Sequence, residues 1–165
     1  MKKKKVLFVC LGNICRSPAA EGVMNHLIKE NKMEKLVEVD SAGTIDYHEG
    51  EEPDERMEKA AKKRGYKLNH RARIFDPYSD FDNFDYIVTM DDENYQTISE
   101  LDIRQKYGNK ILKMISFSSD PSIPEVPDPY YSGILGFKNV LNILEDACKN
   151  LLTNIKIDIE SENNR

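Results

Sequence analysis

The sequence predicts an α/β domain: a parallel sheet of four strands with helices on both faces and a ligand loop after the first strand. Three observations lead there. Short apolar runs alternate with segments of helical periodicity along the chain. The first run, KVLFVC at 5–10, is continuously apolar, as expected of a strand buried on both faces. That run ends in LGNICRSP, at the carboxyl end of a strand, where such sheets place their ligands.

Each element has its own signal. After the 10–17 loop, Ser17 and Pro18 read as N-cap and first helical residue. Ala20, Val23, Met24, Leu27 and Ile28 recur at helical spacing, which predicts a helix over 18–31. LVEVDSAG at 36–43 is a second strand ending in a glycine turn. A polar loop over 46–57 leads into a helix that reaches about Arg64 and stops at Gly65. FDYIVTM at 84–90 is a third strand, 91–107 a helix, and NKILKMI at 109–115 a fourth strand. Four prolines within 116–133 exclude helix and strand and predict an ordered irregular loop. Phe137, Val140, Leu141, Leu144, Cys148, Leu151, Leu152 and Ile155 mark a long last helix, with SENNR as a frayed polar tail.

The totals bound the possibilities. The 165 residues suit one domain spanning 1–165, with an ordered core over about 5–158. A net charge of −5, with acidic residues spread out, argues against nucleic acid as a partner. Lys2 to Lys5 read as a solvated tail rather than a membrane contact, since no amphipathic basic helix accompanies them. No apolar stretch approaches the ~18 residues of a membrane span, and the run before Cys10 is too short for a signal core. Three cysteines, an odd number without a secretion signal, suggest a reducing cytoplasm rather than a disulfide framework.

The loop at 10–17 carries the chemistry. Its backbone N–H groups precede a helix N-terminus, where an anion is welcome. Gly12 permits positive φ and a tight curl, so that successive N–H groups form a nest. Arg16 adds a planar fork for two oxygens of a phosphate. The same field favours a thiolate at Cys10, a nucleophile aimed at phosphorus. Asn13 can hold the loop's shape, and Ser17 can donate to the sulfur. A nucleotide loop would need Gly-Lys-Ser/Thr, which is absent, and zinc needs more ligands than Cys10 and Cys15 supply.

With these residues in view, VCLGNICRSP, DSAGT at 40–44, NHRAR at 69–73 and DPYY at 128–131 together resemble the low-molecular-weight protein tyrosine phosphatases. The resemblance runs in order from about residue 5 to 155. It implies a flavodoxin-like, doubly wound four-stranded sheet and hydrolysis of aryl phosphate monoesters, chiefly phosphotyrosine in proteins. The route it implies is a phosphocysteine intermediate, with no metal or other cofactor. It makes Cys10 the nucleophile, Arg16 the phosphate clamp and Asp128 the general acid. Leu11, Gly12, Asn13, Ile14, Cys15 and Ser17 complete the phosphate loop. Asn13, Ser17, Ser41 and His70 form its supporting network.

Other positions carry two readings each. Expelling a phenolate requires a proton, which Asp128 on its proline-rich loop can deliver. Tyr130 and Tyr131 would wall a phenyl ring. Tyr47 is either a facing rim residue or a solvent-facing tyrosine. Asp91 either positions Arg16 or merely opens a helix. His70 and Ser41 have structural readings too. Cys15 is either a resolving thiol for oxidised Cys10 or a small residue filling the loop's back. Cys148 reads as core. Phosphorylated proteins, inorganic phosphate and other oxyanions are the expected partners of a cytoplasmic monomer that touches neither nucleic acid nor membrane. The alternatives are an arginine phosphatase, an arsenate reductase and a non-catalytic phosphotyrosine reader. Leu11 argues against the first, in which threonine is usual there. The absence of cysteines near 80–90 argues against the second. The intact Cys10 and Asp128 argue against the third.

Overall fold

The computed structural model describes residues 2–165. Strands β1 (Lys4–Cys10), β2 (Val37–Gly43), β3 (Tyr86–Thr89) and β4 (Ile111–Lys113) form one sheet in the order β2-β1-β3-β4. Every pairing is parallel. Helices α1 (Arg16–Glu30), α2 (Glu55–Lys63), α3 (Asp80–Asn83), α4 (Asp92–Leu101) and α5 (Gly133–Asn163) complete the fold. The chain leaves β1 toward β2 on one side and later returns to β3 on the other. This reversal opens a crevice over the carboxyl end of β1.

The alternation along β1 builds two apolar layers. Val6 and Phe8 join the core made with α1 and α5, including Met24, Phe137, Leu141 and Leu144. Leu7 and Val9 face the opposite layer, with Phe75, Phe81, Ile87 and Ile98. All four β1 side chains are fully buried, each contributing roughly 1.5–3 kcal/mol. The strand that ends in Cys10 is thus clamped from both faces.

Several boundaries differ from the sequence expectation. Helix α1 begins at Arg16 with Cys15 as its cap residue, not at Pro18 with Ser17 as cap. The Ser17 hydroxyl is taken up by Cys10 and Asn13 instead. Pro18 is tolerated in the first turn, where N–H groups have no intrahelical acceptor. Lys4 and Lys5 are not a solvated tail: the Lys4 amide donates to the Leu36 carbonyl at 2.8 Å and the Lys5 amide to Asp85 at 2.8 Å. The Lys4 ammonium pairs with Glu162 at 2.6 Å, on a tail that is helical to Asn163 rather than frayed from 161.

Helix α4 stops at Leu101, short of 107. Asp102 accepts from the amides of Lys106 and Tyr107 (3.0 and 2.9 Å), closing a turn in which Gln105 is left-handed at φ 50. Strand β4 shrinks to three residues and passes into a 3₁₀ turn over Met114–Phe117. Helix α3, absent from the expectation, is a single turn whose buried Asp80 pairs with Arg73 at 2.9 Å.

Residues 118–132 contain neither helix nor strand. They are nevertheless anchored: Val126 is fully buried and its amide donates to the Met90 carbonyl at 2.9 Å. This bond brings the loop bearing Asp128 over the end of β3. Among the described residues no helix is long and apolar enough to cross a membrane.

Candidate active site

Cys10 closes β1, and the chain then turns through five residues into α1. The left-handed residue of this turn is Asn13 (φ 58), not Gly12 as the sequence suggested. Asparagine tolerates that region better than most residues. Gly12 answers to crowding instead, since a Cβ there would stand 3.0 Å from the His48 ring. Gly43, at the end of β2, is needed for the same reason: a Cβ would meet the Leu11 carbonyl oxygen at 2.8 Å. Among the described residues, the N–H groups of residues 12–16 donate to no protein atom. They remain available to an anion at a helix N-terminus.

The Asn13 side chain holds the loop. Its amide nitrogen donates to Ser17 Oγ at 2.8 Å and to Ser41 Oγ at 3.0 Å. Its oxygen therefore accepts, from the Arg73 amide at 3.0 Å and from His70 Nε2 at 2.7 Å. The directions propagate. Ser17, already an acceptor, has its proton free for Cys10 Sγ at 3.0 Å. Ser41 likewise passes its proton to Glu21 Oε1 at 2.8 Å.

At the far end of this network, His70 carries its proton on Nε2. Its Nδ1 faces Glu21 Oε1 at 3.3 Å and Asp40 Oδ1 at 3.6 Å. Burial holds the His70 pKa below its usual value, with Asp40 opposing and Arg73 assisting. Burial also pushes Glu21 up to about 7, despite the Ser41 hydrogen bond, and Asp40 adds to the rise. A neutral imidazole facing a carboxyl group that holds its proton late satisfies both shifts. The ligand atoms of Glu21, Asp40 and His70 lie within 4.8 Å of one another, so these three side chains could together hold a metal ion.

Arg16 is 2% exposed. Its Nη1 donates to Asp91 Oδ2 at 2.6 Å and to the Val126 carbonyl at 3.1 Å. Asp91 is itself fixed, since its other oxygen caps α4 through the Asn94 amide at 2.7 Å. The guanidinium is thus oriented through one nitrogen, and its Nη2 lies 3.7 Å from Asp128 Oδ2. Burial opposes the charge, but Cys10 and Asp91 outweigh it and hold the Arg16 pKa above the usual range.

Asp128 Oδ1 accepts from the Tyr130 amide at 3.1 Å, a local turn that aims the carboxyl group. A second tie joins its loop to the phosphate loop. The Asp54 amide donates to the Ile14 carbonyl at 2.7 Å. Asp54 grips the Arg56 fork through Nε at 3.1 Å and Nη2 at 2.9 Å. Arg56 Nη1 then donates to the Tyr130 carbonyl at 2.9 Å.

Cys10, Leu11, Gly12, Ile14, Cys15, Arg16, Tyr47, Asp128, Tyr130 and Tyr131 line one cavity of about 310 Å3. Asn13, Ser17, Ser41 and His70 stand behind it, and Asp91 stands behind Arg16. The rim is aromatic: Tyr47 and Tyr131 are exposed, and Tyr130 packs edge-on against Tyr131 at 4.9 Å. Burial, then Asp54 and Cys10, push the Cys15 thiol well above its usual pKa, so it stays protonated. Cys148 is fully buried in the α5 core. Sequence reasoning missed Ile45 and His48 in the wall, Glu21 and Arg73 in the network, and the Asp54–Arg56 tie. Asp54 had a local signal as the N-cap of α2, and Arg73 lies within the NHRAR segment.

Comparison with known proteins places the sequence and the fold. The model of the low molecular weight phosphotyrosine protein phosphatase family matches residues 5–161. A protein tyrosine phosphatase from Entamoeba histolytica, solved with Hepes in its active site, superposes with a TM-score of 0.90 at 48% identity. That alignment covers 94% of this chain and 99% of that one. A low molecular weight protein-tyrosine-phosphatase of Streptomyces coelicolor is 38% identical over 94% of this chain and 96% of its own. A Drosophila arginine phosphatase is also similar, with a TM-score of 0.85 and 32% identity over 92% of this chain and 98% of its own.

The Glu21 shift has a measurable sign. With its pKa raised from 4.5 to about 7, the folded state binds the proton more tightly than the unfolded chain. The resulting stabilisation is complete below 4.5 and lost as pH rises to about 7. Glu21→Gln, fixed in the neutral form, escapes that loss. Urea unfolding should show the variant gaining on the wild type by on the order of 3 kcal/mol across this window. A stability difference that does not change with pH would contradict the assignment.

Proposed function

This chain belongs to the low molecular weight phosphotyrosine protein phosphatase family, and on that premise we propose that it hydrolyses protein phosphotyrosine through a phosphocysteine at Cys10. The observation that carries the reading is convergence on one cavity. A cysteine sulfur, the unengaged N–H groups of residues 12–16, the Arg16 fork and a carboxyl group on the opposite wall meet there. The phosphate's oxygens take the loop N–H groups and the free edge of Arg16. Its charge is met by these donors without calling on a metal.

The Cys10 sulfur attacks phosphorus as the bond to the tyrosine oxygen breaks. Asp128 gives its proton to that leaving oxygen, so tyrosine departs neutral. In the second step Asp128, now a carboxylate, takes a proton from water as the water oxygen attacks phosphorus. The S–P bond breaks, and inorganic phosphate and the Cys10 sulfur are restored. Ser17, with its proton directed at the sulfur, stabilises the leaving thiolate. The aromatic rim of Tyr47, Tyr130 and Tyr131 receives the ring. If Cys10 is oxidised, Cys15 on the same loop is its resolving partner, and the protonated state of that thiol makes the reaction slow.

The likeness to an arginine phosphatase keeps a second reading in play. Leu11 lines the cavity beside the nucleophile. Its apolar side chain suits a flat ring, whereas a phosphoguanidinium would bring N–H donors that this wall leaves unpaired. An unpaired buried polar group costs about 1–3 kcal/mol.

Two experiments test these assignments. Asp128→Asn should lower kcat strongly for phosphotyrosine, by about 100-fold or more, and much less for aryl phosphates with activated leaving groups. An equal loss along a leaving-group series would make Asp128 structural. Wild type should turn over phosphotyrosine peptides in preference to phosphoarginine, in the presence of chelator. Leu11→Thr should move the kcat/KM ratio toward phosphoarginine by roughly tenfold. An unmoved ratio would remove Leu11 as the selector.

A further inference from the structure

A second groove adjoins the cavity, between α2 and the start of α5. It encloses about 250 Å3 and is lined by Arg56, Lys59, Lys63, Arg64 and Lys138 around an apolar floor that includes Phe137. The chain as a whole carries a net charge of −5, so this cluster runs against the global balance. Among the described residues, no carboxylate lines the groove. Two of the five cations are already neutralised: Arg56 grips Asp54, and Arg64 pairs with Glu145. Among the described residues, Lys59, Lys63 and Lys138 are exposed and have no carboxylate in ion-pair range.

The placement is ordered. Lys59 and Lys63 are one helical turn apart on α2 and share a face. Ile134 and Lys138 are spaced the same way on α5. Ile134 is 69% exposed, an apolar side chain with no cover. The Arg56 guanidinium lies over both the Tyr130 and Phe137 rings, at 5.1 and 4.8 Å from their centroids. Tyr130 lines the catalytic cavity and Phe137 the groove. One stacked side chain therefore separates the two sites.

We propose that this groove receives an acidic stretch of the phosphoprotein substrate flanking its phosphotyrosine, with carboxylates on Lys59, Lys63 and Lys138 and an apolar side chain against Ile134 and Phe137. The proposal rests on the phosphatase reading above. A peptide held by its phosphate at Cys10 crosses Tyr130 and enters the groove within a few residues, at ~3.3–3.6 Å per extended residue. The three lysines are solvated, so each contact is modest and screened by salt. Together they bias substrate choice without touching the reacting atoms.

The test compares wild type with a Lys59→Glu, Lys63→Glu, Lys138→Glu triple variant. The substrates are phosphotyrosine peptides with acidic, neutral or basic residues, scanned separately on each side of the phosphotyrosine, and p-nitrophenyl phosphate. Wild type should favour an acidic flank on one side by about tenfold, through KM, with the preference fading at high salt. The triple variant should lose or invert that preference and keep wild-type turnover of p-nitrophenyl phosphate. A matching triple Lys→Gln variant guards against misfolding caused by glutamate in the last turn of α2. It should lose the preference without inverting it. A wild type indifferent to flanking charge, or an acidic preference retained in both variants, would overturn the groove assignment. A wild type inactive on every phosphotyrosine substrate would overturn the phosphatase reading instead.

Discussion

The Asn13 side chain is the constraint on which the site depends. It sits in the left-handed region, and its amide spends all of its hydrogen-bonding capacity within the protein. Those bonds join the phosphate loop to α1, to β2 and to the 70–73 segment. They also leave the Ser17 and Ser41 protons free, for the Cys10 sulfur and for Glu21. A loop whose own N–H groups are left unpaired for a ligand cannot hold itself by backbone bonds. Side-chain bonds from a buried amide supply the missing restraint, and in a water-excluded setting they are expensive to break.

Around that loop, charge is placed by pairing rather than by exposure. Buried Arg16 is steered by Asp91, which is steered in turn by the amide at the start of α4. One guanidinium nitrogen is consumed in this way, which leaves the remaining edge preorganised for a phosphate. The Asp128 loop is irregular, yet bonds on both sides of Asp128 position it, among them Val126 to Met90, Val126 to Arg16, and Tyr130 to Arg56. The last of these reaches Ile14 through Asp54, so the Cys10 loop and the Asp128 loop share a hydrogen-bonded frame. The same Arg56 borders the basic groove, so the proposed peptide site and the Asp128 loop share one side chain.

Much of the fold was legible because parallel strands buried on both faces leave continuous apolar runs, as in KVLFVC. Helix ends were less so. Ser17 and Pro18 form a convincing cap signal, but the hydroxyl had a stronger use beside Cys10, and α1 starts two residues earlier. Lys4 and the SENNR segment look solvated one at a time; the strand pairing of Lys4 and its ion pair with Glu162 exist only across the fold. The catalytic candidates lie in short contiguous motifs, so Cys10, Arg16 and Asp128 could be picked out before any coordinates. The roles of Glu21, Arg73 and Arg56 could not, since each acts on a residue 20 or more positions away, and even the NHRAR segment does not announce that the Arg73 amide reaches Asn13. Asn13 keeps its expected bonding role and takes the left-handed turn as well, while Gly12 is crowded by the His48 ring of a distant loop, which no local pattern announces.

The most direct test of this account is inorganic phosphate binding and kcat/KM in Asn13→Gly. Glycine adopts the left-handed backbone at no steric cost and removes the Asn13 side chain with its amide, so steric tolerance of the turn and hydrogen bonding from the side chain are separated. The account predicts a folded protein with phosphate affinity weakened by about tenfold or more and kcat/KM lower by about 100-fold, the scale of a few unsatisfied buried groups. Phosphate affinity and turnover close to wild type would contradict it.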